Sequence, residues 1–247
     1  FYNKGYDYFG GTIANNNPSV TSSGTSALGA SYAAWDNQYN LRLWGYQFNN
    51  YGTLLYADNN IKFQPTKSLS FSLAAQAGTD NQLNNTNNAL TNDNLGQISS
   101  NFIGVQGIIN YDWFSLNLGY NNVWGPSSAY GGGAIVTPYT YGFATDPLYT
   151  TPYMSGLADL GTAGTAYKIS PTLTFINGNL SLAPAYTIFN TALAEWNGTQ
   201  EYDFVASYNV PQVKGLTLFG VYAYQQVPDA NSNGSTYITQ LYVSYLY

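Results

Sequence analysis

The 247-residue chain contains neither cysteine nor histidine. Without cysteine it can form no disulfide framework and no thiolate metal site. Without histidine it lacks the commonest general base and a frequent metal ligand. These absences disfavour enzymatic chemistry, and we expect no catalytic residue, no cofactor and no metal.

Charged residues are also scarce, at 7% of the chain, compared with roughly 25% in ordinary soluble domains. The net charge is −6, from 12 acidic and 6 basic residues. This argues against nucleic acid as a partner, because its phosphates are bound mainly by basic side chains. The chain has no apolar run of about 18 residues, so a membrane-spanning helix is excluded. The surface of the protein is therefore expected to be neither highly charged nor strongly hydrophobic throughout.

Tyrosine is abundant, with 25 residues, and apolar and polar residues alternate with a period of two. In the segment 114–121, for example, the even positions are mostly apolar or aromatic and the odd positions are small or polar. Such alternation places successive side chains on opposite faces of a β-strand. It predicts an all-β, antiparallel transmembrane β-barrel, with strands of about 9–11 residues. The predicted strands, about twelve, are 5–14, 27–35, 39–48, 53–63, 69–77, 101–111, 113–123, 165–175, 179–189, 200–209, 215–225 and 236–247.

The connections between these strands alternate between short and long. Short turns are predicted at 36–38, near Pro65, at Asp112, at 176–178 and near Pro211, and longer loops at 15–26, 78–100, 124–164, 190–199 and 226–235. The segment 49–52 takes the place of a long loop in this alternation, although it is itself short. Outer-membrane barrels have short periplasmic turns and long external loops. The pattern therefore predicts that the long loops are external and that the C-terminus is periplasmic.

If the apolar rows face lipid, the alternate positions face the interior of a barrel. We expect Arg42 and Asp58 to form a pair there, because the hairpin at 49–52 sets them nearly opposite each other. Lys62 and Lys168 could equally lie at the rim. The predicted pore-lining residues are Arg42, Asp58, Lys62, Gln106, Ser115, Asn117, Asn121, Lys168, Glu201, Asp203 and Gln240.

The 124–164 loop is long and rich in glycine, proline, tyrosine and threonine. Loops of this length are usually functional or disordered, and its aromatic content favours a constriction packed inside the barrel. A surface cap that does not touch the pore is the alternative. The predicted constriction residues are Tyr139, Tyr141, Asp146, Tyr149 and Asp159. The external loops carry Asp80, Asp93, Asp146, Asp159, Glu195 and Asp229 and no base, which predicts weak cation preference.

Two segments resemble a known family. The run from Gly131-Gly132-Gly133 through 138–142 and 145–151 resembles a long loop of OprD-type outer-membrane porins. The run from Glu201 through Pro211 and 214–218 to Tyr247 resembles the C-terminal end of those porins and of the related major outer membrane porins.

The resemblance implies a homotrimeric porin in the outer membrane of a Gram-negative bacterium. Such a protein contacts lipid and lipopolysaccharide, and it admits small polar solutes or ions by passive diffusion. The family forms barrels of about 18 strands, so the chain, which begins at Phe1, is expected to be a single barrel domain over 1–247 that is incomplete on its N-terminal side. A smaller closed barrel is the alternative. The resemblance also implies a pore lined by a ladder of basic residues. This chain does not match that ladder, because Arg42 is its only arginine.

Two other functions compete with a porin. Chains rich in asparagine, threonine and tyrosine also suit an extracellular structural β-protein, such as a filament or surface-layer subunit. A barrel-embedded enzyme would generally need a histidine base. The carboxylates Glu201 and Asp203 could instead act as a glycosidase pair, but no second signal supports that chemistry.

Overall fold

A computed structural model describes residues 25–48, 52–82, 96–136, 148–228 and 234–246. In these residues eleven strands form a single sheet in chain order, and each neighbouring pair is antiparallel. The all-β prediction is confirmed, while the strand predicted at 5–14 lies outside the described residues. The strands are β1 (Thr25–Ala34), β2 (Tyr39–Phe48), β3 (Gly52–Phe63), β4 (Leu69–Gln82), β5 (Ser99–Tyr111), β6 (Phe114–Trp124), β7 (Gly164–Phe175), β8 (Leu180–Thr191), β9 (Gln200–Asn209), β10 (Leu216–Gln226) and β11 (Ser235–Tyr245).

The strand β4 exceeds its predicted length by the largest margin. The prediction ended β4 at residue 77 and placed Asp80 in an external loop, but β4 continues to Gln82. Asp80 is paired with Ser100 of β5 and is fully buried. The external-loop assignment of Asp80 is therefore wrong, because the ladder with β5 extends beyond the last apolar position of the strand.

Connections at the two ends of the sheet differ in length. At one end, 35–38, 64–68, 112–113, 176–179 and 210–215 join the strands, and at the other end 49–51, 83–98, 125–163, 192–199 and 227–234 do so. We call these the short-turn end and the long-loop end. In the turn after β7, Asn177 and Gly178 adopt positive φ of 52° and 89°, as a tight hairpin turn requires. The predicted alternation of short and long connections is thus confirmed.

The strand register separates the side chains into two faces. Arg42 is paired with Asp58, Asp58 with Gln76, and the same level continues through Gly104 to Asn121. Paired residues point to the same side of a sheet, so we call this the polar face. The opposite side, the apolar face, carries exposed hydrophobic residues that include Leu28, Leu43, Leu55, Leu73, Val105, Leu118, Ile169, Phe204, Leu218, Tyr222, Leu241 and Val243.

The edges of the sheet are β1 and β11, and closure of a barrel between them is not seen in the described residues. In the same residues, no helix has both the length and the apolar character needed to cross a membrane.

Buried apolar side chains lie on the polar face near the long-loop end, where the 125–163 loop packs against the sheet. Phe102, Val123 and Phe189 contribute from the strands, and Ile135 and Leu157 contribute from the loop. Burial of each such side chain stabilises the fold by roughly 1.5–3 kcal/mol. The loop is therefore an integral part of the core.

The orientation of the sheet can be tested with trypsin, because the exposed turn lysines Lys67 and Lys214 both lie at the short-turn end. The connections of the long-loop end contain no lysine or arginine. With that end outside the cell, trypsin added to intact cells should leave the chain uncut at both lysines. After permeabilisation of the outer membrane, immunoblotting should show fragments that end at Lys67 and Lys214. Cleavage there in intact cells would reverse the orientation.

The assignment of the faces can be tested with arginine at two neighbouring positions of β6. Leu118 on the apolar face is 47% exposed, and arginine in contact with lipid at mid-bilayer costs roughly 2–4 kcal/mol. Leu118→Arg should therefore lower folding stability in bilayers by an amount of that order. Asn117→Arg, on the polar face, is the matched control and should be much milder. Equal losses of folding free energy in urea titrations would contradict the assignment.

Candidate functional site

All eleven residues predicted to line a pore lie on the polar face. The register carries this face across the sheet from Arg42 of β2 to Gln240 of β11. That the face lines a pore remains a prediction. The residues are Arg42, Asp58, Lys62, Gln106, Ser115, Asn117, Asn121, Lys168, Glu201, Asp203 and Gln240.

Arg42 and Asp58 form the expected pair. They are direct register partners on β2 and β3, and Arg42 Nε donates a hydrogen bond of 2.9 Å to Asp58 Oδ1. The Arg42 side chain is 61% exposed, whereas that of Asp58 is 8% exposed. The buried carboxylate thus orients a guanidinium group whose outer part remains accessible.

The second half of the 125–163 loop crosses the polar face as an irregular segment of turns and bends, residues 148–155, which we call the strap. It begins over β6, where Asn121 Oδ1 accepts hydrogen bonds from Thr150 N (3.1 Å) and from Thr150 Oγ1 (3.2 Å). The strap backbone approaches the sheet closely at Gly119, because a Cβ there would be 2.9 Å from Tyr149 O. Any larger residue at 119 would push the strap away.

Three charged side chains hold the middle of the strap. Lys168 Nζ donates to Thr151 O. Asp203 Oδ2 accepts a hydrogen bond of 3.1 Å from Tyr153 N, and Glu201 Oε1 accepts one from Met154 N. Consecutive backbone N–H groups of the strap are therefore satisfied by two carboxylates that lie two residues apart on β9. Hydrogen bonds to charged groups are stronger than neutral ones.

The end of the strap reaches the last two strands. Gln225 Nε2 on β10 donates to Ser155 Oγ at 2.6 Å and to Glu201 Oε2 at 3.2 Å. The Tyr153 hydroxyl donates to Gln240 on β11. Contacts thus connect the strap to β6, β7, β9, β10 and β11 in succession.

The first half of the loop has its own anchor on β4. Asp80 Oδ2 accepts a hydrogen bond of 2.8 Å from Val136 N. Tyr130 N donates to Gln97 O in the preceding 83–98 connection, and Ala163 N donates to Gly131 O near the end of the loop. Asp80, Glu201 and Asp203 therefore share one role, which is to accept backbone N–H groups of the 125–163 loop.

Because these acids bind the loop, few of the charged side chains of the polar face are exposed. Glu201 is fully buried, and Asp203 is 8% exposed, so these acids would influence a solute only through the strap. Lys168 is half-buried, while Arg42 and Lys62 remain the exposed charges among the described strand residues of this face. No cluster of three or more acidic side chains that could hold a metal occurs in the described part of the chain.

Two of the five predicted constriction residues are described, and Tyr139, Tyr141 and Asp146 lie outside the described residues. Asp159 Oδ2 accepts a hydrogen bond of 2.9 Å from Gly156 N within the loop. Burial, together with the negative charge of Asp58, raises the pKa of the Tyr149 hydroxyl to about 12, and the positive charge of Arg42 partly opposes this shift. Tyr149 therefore lies within electrostatic reach of the pair on β2 and β3.

Sequence reasoning missed several residues that position the strap. Gln225 lies on the polar face by the same alternation that identified Glu201, so parity alone could have found it. Tyr153 could not be found in this way, because its contacts with Asp203 and Gln240 depend on the path of a loop. The alternative of a surface cap is disfavoured, since the described part of the loop packs against the polar face.

No protein-family model matches the chain, and no curated protein matches it in sequence. Solved structures do match its fold. The crystal structure of OprD from Pseudomonas aeruginosa aligns with a TM-score of 0.73 and 16% identity over 95% of this chain. OccAB3 from Acinetobacter baumannii aligns with a TM-score of 0.68 and 16% identity over 92% of the chain. OpdK from P. aeruginosa, solved with vanillate, aligns with a TM-score of 0.67 and 18% identity over 92%.

The chain spans 62% of the OprD chain, 56% of OccAB3 and 57% of OpdK. At these identities the likeness establishes the fold alone. The resemblance to OprD-type porins is thus confirmed as a resemblance of fold, with the eleven described strands matching part of the wall of such a barrel.

Removal of the Glu201 carboxylate should loosen the strap. Hydrogen bonds to charged groups contribute roughly 1.5–3 kcal/mol each. In Glu201→Ala the amide of Met154 should therefore exchange with deuterium faster by at least about tenfold. Hydrogen-exchange mass spectrometry of the detergent-solubilised protein measures this rate.

Glu195→Ala provides the control for that experiment, because it removes an exposed acid from the same end of the sheet. It should leave the exchange of the strap unchanged. Equal exchange rates at Met154 in the parent and in Glu201→Ala would show that Glu201 does not anchor the strap.

Proposed function

We propose that this chain forms the wall of a water-filled outer-membrane channel, through which small polar or charged solutes diffuse passively. The observation that carries the proposal is the contrast between the two faces of one sheet. The apolar face is exposed along many strands, whereas the polar face is covered in part by a loop that is hydrogen-bonded to five of them. A lipid-facing exterior and a lumen narrowed by a loop have this arrangement.

The exposed apolar face argues against an extracellular structural protein. Leu28, Leu241 and Val243 are 82%, 84% and 74% exposed, and soluble proteins rarely leave large contiguous apolar surfaces uncovered. In a membrane, lipid hydrocarbon chains would cover such a surface and keep it out of contact with water. If the protein is a barrel, its electrophoretic migration should change on heating, whereas solubility without detergent would favour the structural alternative.

Such a channel has a defined location and defined partners. The protein would lie in the outer membrane of a Gram-negative bacterium, in contact with lipid and lipopolysaccharide, and would assemble as a homotrimer. The fold match to an outer membrane protein, OprD, supports this location. The structure of OpdK with vanillate supports a small solute as the cargo of a related fold.

The balance of charge along the polar face supports weak ion selectivity. Its described strands carry four acids and three bases, so the wall itself is nearly neutral. Asp159 and Glu195 add negative charge at the long-loop end, where no connection contains a base. An acidic entrance concentrates cations, and salt screens this effect over about 10 Å at 0.1 M. The acids and bases of the strands are Asp58, Asp80, Glu201, Asp203, Arg42, Lys62 and Lys168.

Weak cation preference should therefore appear as a reversal potential across a planar bilayer under a salt gradient. The preference should fade as salt is raised. The double variant Asp159→Asn/Glu195→Gln should lower it, while Asp159→Asn/Glu195→Asp separates loss of charge at 195 from loss of the side chain. Anion preference in the parent protein would overturn the selectivity but not the channel. Absence of any ion current would overturn the channel itself.

A further inference from the structure

We propose that Trp44, together with the Arg42–Asp58 pair, forms a binding subsite for an uncharged saccharide ring on the polar face. The inference rests on the proposed channel function and names a class of solute for it. Trp44 and Arg42 are two residues apart on β2, so both side chains lie on the same face of the strand. An aromatic plane and a planar polar pair are thus presented side by side.

Trp44 is partly exposed, at 39%, yet its position is fixed. Its indole lies over Gly29 of β1, where a Cβ would be only 2.3–2.6 Å from three ring carbons. The indole also stacks with Tyr46, with ring centroids 5.9 Å apart and planes inclined by 21°. Tyr46 in turn stacks on the fully buried Phe48. The aromatic row is therefore anchored in the core at one end and ends in an accessible indole at the other.

The polar half of the subsite is supplied by Arg42 and Asp58. Only Nε of Arg42 is engaged within the described residues, in the hydrogen bond to Asp58. Its terminal nitrogens are accordingly available as donors in a fixed direction, since the carboxylate holds the guanidinium plane. The strap brings the Tyr149 side chain into electrostatic reach of the same pair, so the subsite lies where the loop approaches β2 and β3.

The chemistry of this arrangement fits a neutral sugar better than an anion. A pyranose ring has an apolar C–H face that stacks on an aromatic plane, and its hydroxyl groups accept from guanidinium nitrogens. Asp58 compensates the charge of Arg42 at 2.9 Å, so the subsite carries little net charge. An aromatic carboxylate would also stack, but it would need an uncompensated base. Neither lysine of the polar face supplies such a base at the subsite. Lys62 lies four residues from Asp58 toward the short-turn end, and Lys168 donates to Thr151 O.

The test is titration of the single-channel current of the full protein with maltotriose in planar bilayers. The parent current should fall saturably as the sugar enters and occupies the subsite. Trp44→Ala should raise the half-saturating concentration about tenfold, which corresponds to about 1.4 kcal/mol, whereas Trp44→Phe should raise it less. Trp124→Ala is the matched control, because it removes an exposed tryptophan from the apolar face, and it should leave the half-saturating concentration unchanged.

A second readout does not require conduction. Maltotriose should change the intrinsic tryptophan fluorescence of the detergent-solubilised parent protein, and the change should be lost in Trp44→Phe. This variant keeps an aromatic ring over Gly29, so its loss of signal does not depend on misfolding.

The outcomes separate the subsite from the channel. Ion current without saturable block by sugar, or block that is unchanged in Trp44→Ala, would overturn the subsite and leave the channel standing. Block by vanillate that exceeds block by maltotriose and disappears in Arg42→Gln would assign the site to aromatic acids instead and would also overturn it. Absence of both ion current and a fluorescence change would overturn the channel and the subsite together.

Discussion

The backbone N–H groups of the 125–163 loop need acceptors, and carboxylates on the polar face supply them. Asp80 accepts from Val136, Asp203 from Tyr153 and Glu201 from Met154. A buried N–H without a partner destabilises a fold by roughly 1–3 kcal/mol, and a buried carboxylate without donors is worse. Each group therefore makes the burial of the other possible. The position of the strap, and with it the shape of the polar face, depends on these hydrogen bonds.

The same requirement explains why so few charged residues remain exposed on a polar surface. Lys168 donates to a strap carbonyl, and Glu201 is further bonded to Gln225. Much of the remaining polarity of the face comes from neutral side chains such as Asn117 and Gln106, which carry no net charge and therefore create no large electrostatic field. The low charged fraction of the chain, 7%, is thus compatible with a water-filled interior, since most of the acids on this face have structural partners.

The fold was largely predictable from the sequence because alternation is a local signal. It located eleven described strands, assigned eleven side chains to one face and anticipated the Arg42–Asp58 pair from hairpin geometry. Burial beneath the strap was not predictable, because it depends on contacts between residues far apart in sequence, such as Glu201 with Met154. Asp80 was misassigned for a related reason. A polar residue near the end of a strand resembles a loop residue until the partner strand is known.

Trp44 is a residue whose face of the sheet is hard to predict from the sequence. Alternation places it on the polar face, but its apolar character suggests the lipid side, so residue type and parity conflict. Gly29 explains how the polar face accommodates the indole, because a Cβ at that position would clash with three of its ring carbons. An aromatic residue kept accessible on that face gains less from burial than it would in the core, although Tyr46 and Phe48 beside it are drawn into the packed cluster. The cost is understandable if the exposed indole binds a solute, in which case the local packing of β1 and β2 would contribute to the selectivity of the proposed channel.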